Sequence, residues 1–226
     1  MKQRKIPKKG VDQLPKVKRK VAKKTFEIVA ENIFKGRVIG ETIANNEKSV
    51  IGRNLEISVA DITGDYKHEN YRLWFKILRV DGSQAYSTFI KEALRRDYVR
   101  SIVRRRTSRV DCLTKAITKD GHELNYFTIA ITTRRVRKSK ESAIRRIINE
   151  KMSEIIPTLT IDELVISSIF REPINIEKKL RKEANKIAPI QIIEPLKIQV
   201  TSFPKEVLEG ETVESGTTGS REGEET

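Results

Sequence analysis

Between Val110 and Ile131 the chain alternates apolar and polar residues on either side of an Asp120–Gly121 dipeptide. Val110, Cys112, Thr114 and Ala116 lead in, and Leu124, Tyr126, Phe127, Ile129 and Ile131 lead out. A period of two puts successive side chains on opposite faces, so this stretch suits a strand with one buried face far better than a helix. Glycine tolerates the positive φ of a tight hairpin turn, and Asp-Gly is among the strongest short-range signals for one. The same grammar recurs upstream. Phe26, Ile28 and Val29 open a strand, and Leu55, Ile57 and Val59 alternate with Glu56, Ser58 and Ala60. Tyr71 to Val80 is apolar on both faces and is followed by Asp81–Gly82, which predicts a central strand ending in a second hairpin. Five or more short strands at this spacing predict a barrel or a strongly curled sheet.

After Lys138 the period changes. Ala143, Ile144, Ile147, Ile148, Met152, Ile155 and Ile156 mark an amphipathic helix stopped by Pro157. Thr160 and Glu163 form a capping box for a short helix through Leu164, Val165 and Ile169. A third helix follows Pro173, with Ile176, Leu180, Ala184 and Ile187 on one face and Pro189 at its end. Leu196, Ile198 and Val200 then read as a final strand, which Ile190 to Ile193 begin. The expected fold class is α+β: a strand-rich body over 25–138, then a helical region with a final strand over 139–204.

Charge supplies the functional signal. The chain has 226 residues and a formal net charge of +15. Its cations concentrate in the run RRDYVRSIVRRRTSR from Arg95 to Arg109 and in RRVRKSK from Arg134 to Lys140. Leu94, Tyr98, Val99, Ile102 and Val103 recur at helical spacing, which predicts an arginine-rich helix with a narrow apolar stripe and Tyr98 in the core. Guanidinium groups at this density call for a dense array of anions, of which phosphate-rich nucleic acid is the commonest. The candidate RNA-binding residues here are Arg95, Arg96, Arg100, Arg104, Arg105, Arg106, Arg109, Arg134, Arg135, Arg137 and Lys138. The bland alternative is a solvated helix face. Residues 1–24 form a basic tail whose Lys8, Lys9, Arg19 and Lys20 join the candidates, and 205–226 form an acidic tail with an SGTTGS stretch. Both tails are too poor in apolar residues to fold alone and are expected to be disordered.

Other chemistry finds little material. Two histidines and one cysteine offer no zinc cluster, and no phosphate-binding glycine loop or nucleophile elbow is present. Asp61, Asp65 and Glu69 surround Gly64 and read as a surface turn rather than a cation site. No catalytic residue, metal or cofactor is expected. The lone Cys112 suits a reducing compartment, and no apolar stretch approaches the ~20 residues that span a bilayer, so a cytosolic protein without a membrane role is expected.

The segment Ile51-Gly-Arg-Asn-Leu-Glu-Ile-Ser-Val-Ala-Asp-Ile62 resembles the signature of the archaeal and eukaryotic small-subunit ribosomal protein family S3Ae, or e-type S1, at Gly52, Arg53, Glu56, Ser58, Ala60 and Asp61. Thr88–Phe89, Arg96–Asp97, Asp120–Gly121 with Phe127, Thr132–Arg135, Ile144–Ile148 with Lys151–Met152, Pro173–Lys178 and Ile187–Pro189 continue the resemblance in order, over about residues 20 to 203. The resemblance implies a structural constituent of the small ribosomal subunit that binds small-subunit rRNA at the platform near the messenger exit. Arg53 then joins the RNA-binding candidates, and neighbouring small-subunit proteins, with messenger near the exit, become the further partners. A free RNA- or DNA-binding processing or architectural factor is the alternative. A composition rich in Lys, Glu, Arg and Ile hints at a thermophilic archaeal source.

Overall fold

The hairpin centred on Asp120–Gly121 is one flank of a large sheet in the computed structural model, which describes residues 23–30, 33, 34 and 36–203. Its arms are β6 (Arg109–Ile117) and β7 (Glu123–Thr132), antiparallel and in unbroken register from Arg109↔Ile131 to Ile117↔Glu123. Gly121 holds the turn at φ 78°. The remaining strands are β1 (Lys24–Ala30), β2 (Arg37–Ala44), β3 (Asn54–Ser58), β4 (Tyr71–Asp81), β5 (Gln84–Leu94) and β8 (Ile190–Ser202).

Strand β5 organises this sheet. One of its edges pairs with β4 along its whole length; the other pairs first with β1, in parallel, and then with β8. The sheet therefore forks at β5, with β2 and β1 on one prong and β8, β7 and β6 on the other. It does not close, so the curled-sheet expectation holds and the barrel does not. The last strand in sequence lies between β5 and β7, and so ties the helical region into the strand-rich body.

Helices α3 (Lys138–Ile155), α4 (Ile161–Phe170) and α5 (Ile176–Ala184) cover one face. Across that face run Leu73, Glu92, Ile198, Tyr126 and Thr114, registered strand to strand and all buried. Thr114 donates to Asn149 of α3, and Ser168 of α4 donates to Glu92. Two apolar clusters result. One gathers Phe26, Leu73, Phe75 and Phe89 with Val165 and Ile169; the other gathers Val110, Tyr126 and Ile198 with Ile144, Ile148 and Leu180. Helix α4 serves both, through Val165 and Leu164 respectively. The Thr160 capping box is formed as expected, with both reciprocal bonds present.

Three expectations need correction. The predicted arginine-rich helix is short: α2 runs only Arg96–Ile102, Val103 is extended, and Arg104–Arg106 lie in a loop where Arg106 has φ 66°. Arginine and valine fit the helical spacing, but the chain must turn there to enter β6. The alternation through Val59 and Ala60 also stops early. After Ser58 the chain forms α1 (Val59–Thr63), which buries Val59, Ala60 and Ile62 and ends at Gly64 in the left-handed region. Finally, β2 and β5 add two strands that periodicity does not reveal. In β5 a bulge opposite Trp74/Phe75 breaks the period of two, and small or polar Ala85, Ser87 and Glu92 occupy its buried positions.

Candidate nucleic-acid interface

The two basic runs, distant in sequence, are brought together where β6 begins and β7 ends. The join is polar and buried. Thr132 N–H donates to the Ser108 carbonyl at 3.0 Å, and Ser108 N–H donates to Thr132 Oγ1 at 3.0 Å. The Thr132 hydroxyl lies 2.7 Å from the Arg134 carbonyl, its acceptor, and Ser108 Oγ accepts from Val136 N–H at 3.2 Å. Thr132 and Ser108 are both buried, so these bonds are shielded from competing water and fix the two loops against each other.

Around this staple stand Arg104, Arg105, Arg106, Arg134, Arg135 and Arg137, all exposed. None of the six forms an ion pair with a carboxylate among the described residues. Arg109 is the exception at this end, held 2.8 Å from Asp111, and Lys138 sits 3.5 Å from Glu141. Guanidinium groups without internal counter-ions are free to pair with anions from outside. Nothing in the hairpin pattern signals the Ser108–Thr132 staple; two ordinary polar residues carry it, and only their burial marks them.

The other candidates are placed differently. Arg95 stands just before α2 and binds Glu69, while Arg96 and Arg100 project from α2 into solvent. Tyr98 packs against the core and donates its hydroxyl to Glu194 at 2.8 Å, so it is no stacking platform. Arg53 does not join the basic end. Its Nε donates to the Ser49 carbonyl at 2.8 Å and its Nη1 to Thr42 Oγ1 at 2.7 Å and the Ile43 carbonyl at 3.1 Å, which clamps β2 to the loop before β3. Lys8, Lys9, Arg19 and Lys20, and the expected disorder of both tails, lie outside the described residues.

The molecule also buries carboxylates. Burial pushes Glu92 up to about 8 despite its bond from Ser168, and Glu177 up to about 7 despite Arg171 at 3.0 Å. No group of acids, histidines or cysteines among the described residues is arranged to hold a metal. No described helix is long and apolar enough to cross a membrane.

The chain thus combines an α+β body with an exposed surface of six arginines that form no ion pair among the described residues. Its family is specific: the model of the Ribosomal S3Ae family matches residues 13–204, and the chain belongs to that family. Among its relatives is the small ribosomal subunit protein eS1 of Staphylothermus marinus, 36% identical over 182 residues, covering 80% of this chain and 84% of that one. The protein of the same name in Methanopyrus kandleri is 35% identical over 180 residues, with 79% and 85% covered. That of Aeropyrum pernix is 34% identical over 183 residues, with 80% and 86% covered.

Proposed function

We propose that this protein is a structural constituent of the small ribosomal subunit, in the cytoplasm, and that it holds small-subunit rRNA through its basic end. The observation that carries this is the stapled pair of loops bearing Arg104, Arg105, Arg106, Arg134, Arg135 and Arg137 without internal counter-ions among the described residues. Their mode of binding is backbone and shape recognition, since the deep major groove of A-form RNA hides base edges from side chains. Lys138, Arg96 and Arg100 extend the basic surface along α3 and α2. Lys8, Lys9, Arg19 and Lys20 add cations in sequence before the described residues, and the relatives' shared name supports placement in the small subunit. The site in the particle is the platform near the messenger exit, beside neighbouring small-subunit proteins.

Sedimentation tests this reading. The protein should co-migrate with small subunits through a moderate salt wash, and neutralising the six loop arginines should release it at lower salt. A protein found free of subunits, bound instead to unrelated RNA or DNA, would point to the processing-factor alternative.

A further inference from the structure

Among the described residues, the sheet face opposite the helices is only partly buried over its lower half. Two registered rows cross it. In one, Trp74 of β4 stands beside Lys91 of β5, which is followed by Gln199 of β8, Asn125 of β7 and Lys115 of β6. In the next, Arg72, Ala93, Lys197, Phe127 and Leu113 lie side by side. Registered neighbours share a face, so these side chains form one surface. Both aromatic rings are half-buried, and each carries a lysine: Lys91 Nζ is 3.8 Å from the Trp74 ring centroid, and Lys197 Nζ is 5.4 Å from that of Phe127.

Cations outnumber acids at the centre of this surface, where Glu56 of β3 is the registered neighbour of Trp74. Lys91, Lys197 and Lys115 form no ion pair among the described residues, while Arg72 is held by Glu56 at the edge. Burial first, then Lys197, lower the Lys91 pKa, with Glu56 opposing the shift and Arg96 adding to it. Further up β7 the same face carries Ile129 and Ile131, buried in the cluster that holds Val99 and Ile102 of α2. Helix α2 thus closes the upper end and sets Arg95 and Arg96 over a recess of about 350 Å³ that Trp74, Lys91 and Arg72 also line, with the carboxylates of Glu56 and Asp97 at its wall.

We infer that this face binds an unpaired segment of small-subunit rRNA, its bases stacking on Trp74 and Phe127 and its phosphates meeting Lys91, Lys197 and Lys115. Aromatic rings interleaved with cations on an open sheet are the chemistry of sequence-tolerant single-strand binding, because every base has a π-face and every nucleotide a phosphate. A protein partner with an acidic surface would satisfy the lysines but would leave the two rings without base stacking. The inference rests on the proposed ribosomal function and adds a second RNA contact of a different kind.

Trp74 is the chain's only tryptophan, which makes its emission a local reporter. In the full RNA-free protein, an oligouridylate of about a dozen nucleotides should quench that emission, whereas an RNA duplex of equal length should not. Phe127→Leu should weaken single-strand binding on the order of tenfold and leave duplex binding unchanged. Lys91→Gln with Lys197→Gln, both surface changes, should do the same if Phe127→Leu perturbs folding. Neutralising the six loop arginines should spare the quenching, so failure of the basic end and failure of this face are separable. A photo-crosslinking residue in place of Phe127, in purified subunits free of messenger, should join to rRNA. Equal quenching by duplex, no quenching at all, crosslinking to a protein, or crosslinking only when messenger is added would each overturn the inference.

Discussion

Glu92 is buried where the two apolar clusters meet, with Oε2 accepting from Ser168 at 2.7 Å and Oε1 without a partner among the described residues. Its pKa rises to about 8 from the ordinary 4.5, because burial penalises the charge. Between those values the folded protein keeps a proton that the unfolded chain has released. Stability from this residue is therefore full below 4.5 and is lost as pH rises through 8, at no more than about 1.4 kcal/mol per pH unit. Glu177, raised to about 7, adds a decline of the same sign. Glu92→Gln keeps a hydrogen-bonding group but cannot ionise, so denaturant melts from pH 5 to 8 should flatten for this variant; an unchanged slope would show that Glu92 is already ionised. Cys112 gives a second residue-scale prediction. Buried and pushed up to about 12, its thiol should resist thiol reagents until the protein unfolds. Sequence could name neither environment: Glu92 in a strand reads as an outward residue until the fork at β5 is known.

At the scale of elements, the hairpin arms, α3, α4, α5 and β8 are legible because local signals agree with tertiary need. Asp120–Gly121 supplies the turn, and the Thr160–Glu163 box begins α4. Thr160→Ala should cost about 1 kcal/mol in a chemical melt. Where signals and packing disagree, pattern misleads. Arg104–Arg106 continue a helical spacing that the chain abandons in order to reach β6, and β5 hides behind a bulge. The staple at Ser108 and Thr132 is invisible for a different reason, since its meaning depends on two loops meeting. Thr132→Val keeps the shape but strands the Ser108 N–H, and should cost about 1–3 kcal/mol. It should also weaken RNA binding without removing any cation. Unaltered affinity in a folded Thr132→Val protein would mean that the loops need no fixing.

For the whole molecule, one sheet carries both clusters, and its final strand is central rather than peripheral. A chain ended after Ala188 loses β8, leaving β5 and β7 without their shared neighbour and Ile198 and Val200 out of their clusters. Circular dichroism of that truncation should show loss of the cooperative fold. The charge of +15 is plain in the sequence, as is its weighting toward two runs. What the fold adds is their convergence at one end. The central claim is that this convergence grips rRNA phosphates. The most direct measurement is the salt dependence of binding to small-subunit RNA by the full protein and by a variant with Arg104, Arg105, Arg106, Arg134, Arg135 and Arg137 changed to glutamine. The account predicts weaker binding and a shallower slope, by about one unit for each phosphate that an arginine no longer neutralises. Affinity and slope equal to those of the unaltered protein would contradict it.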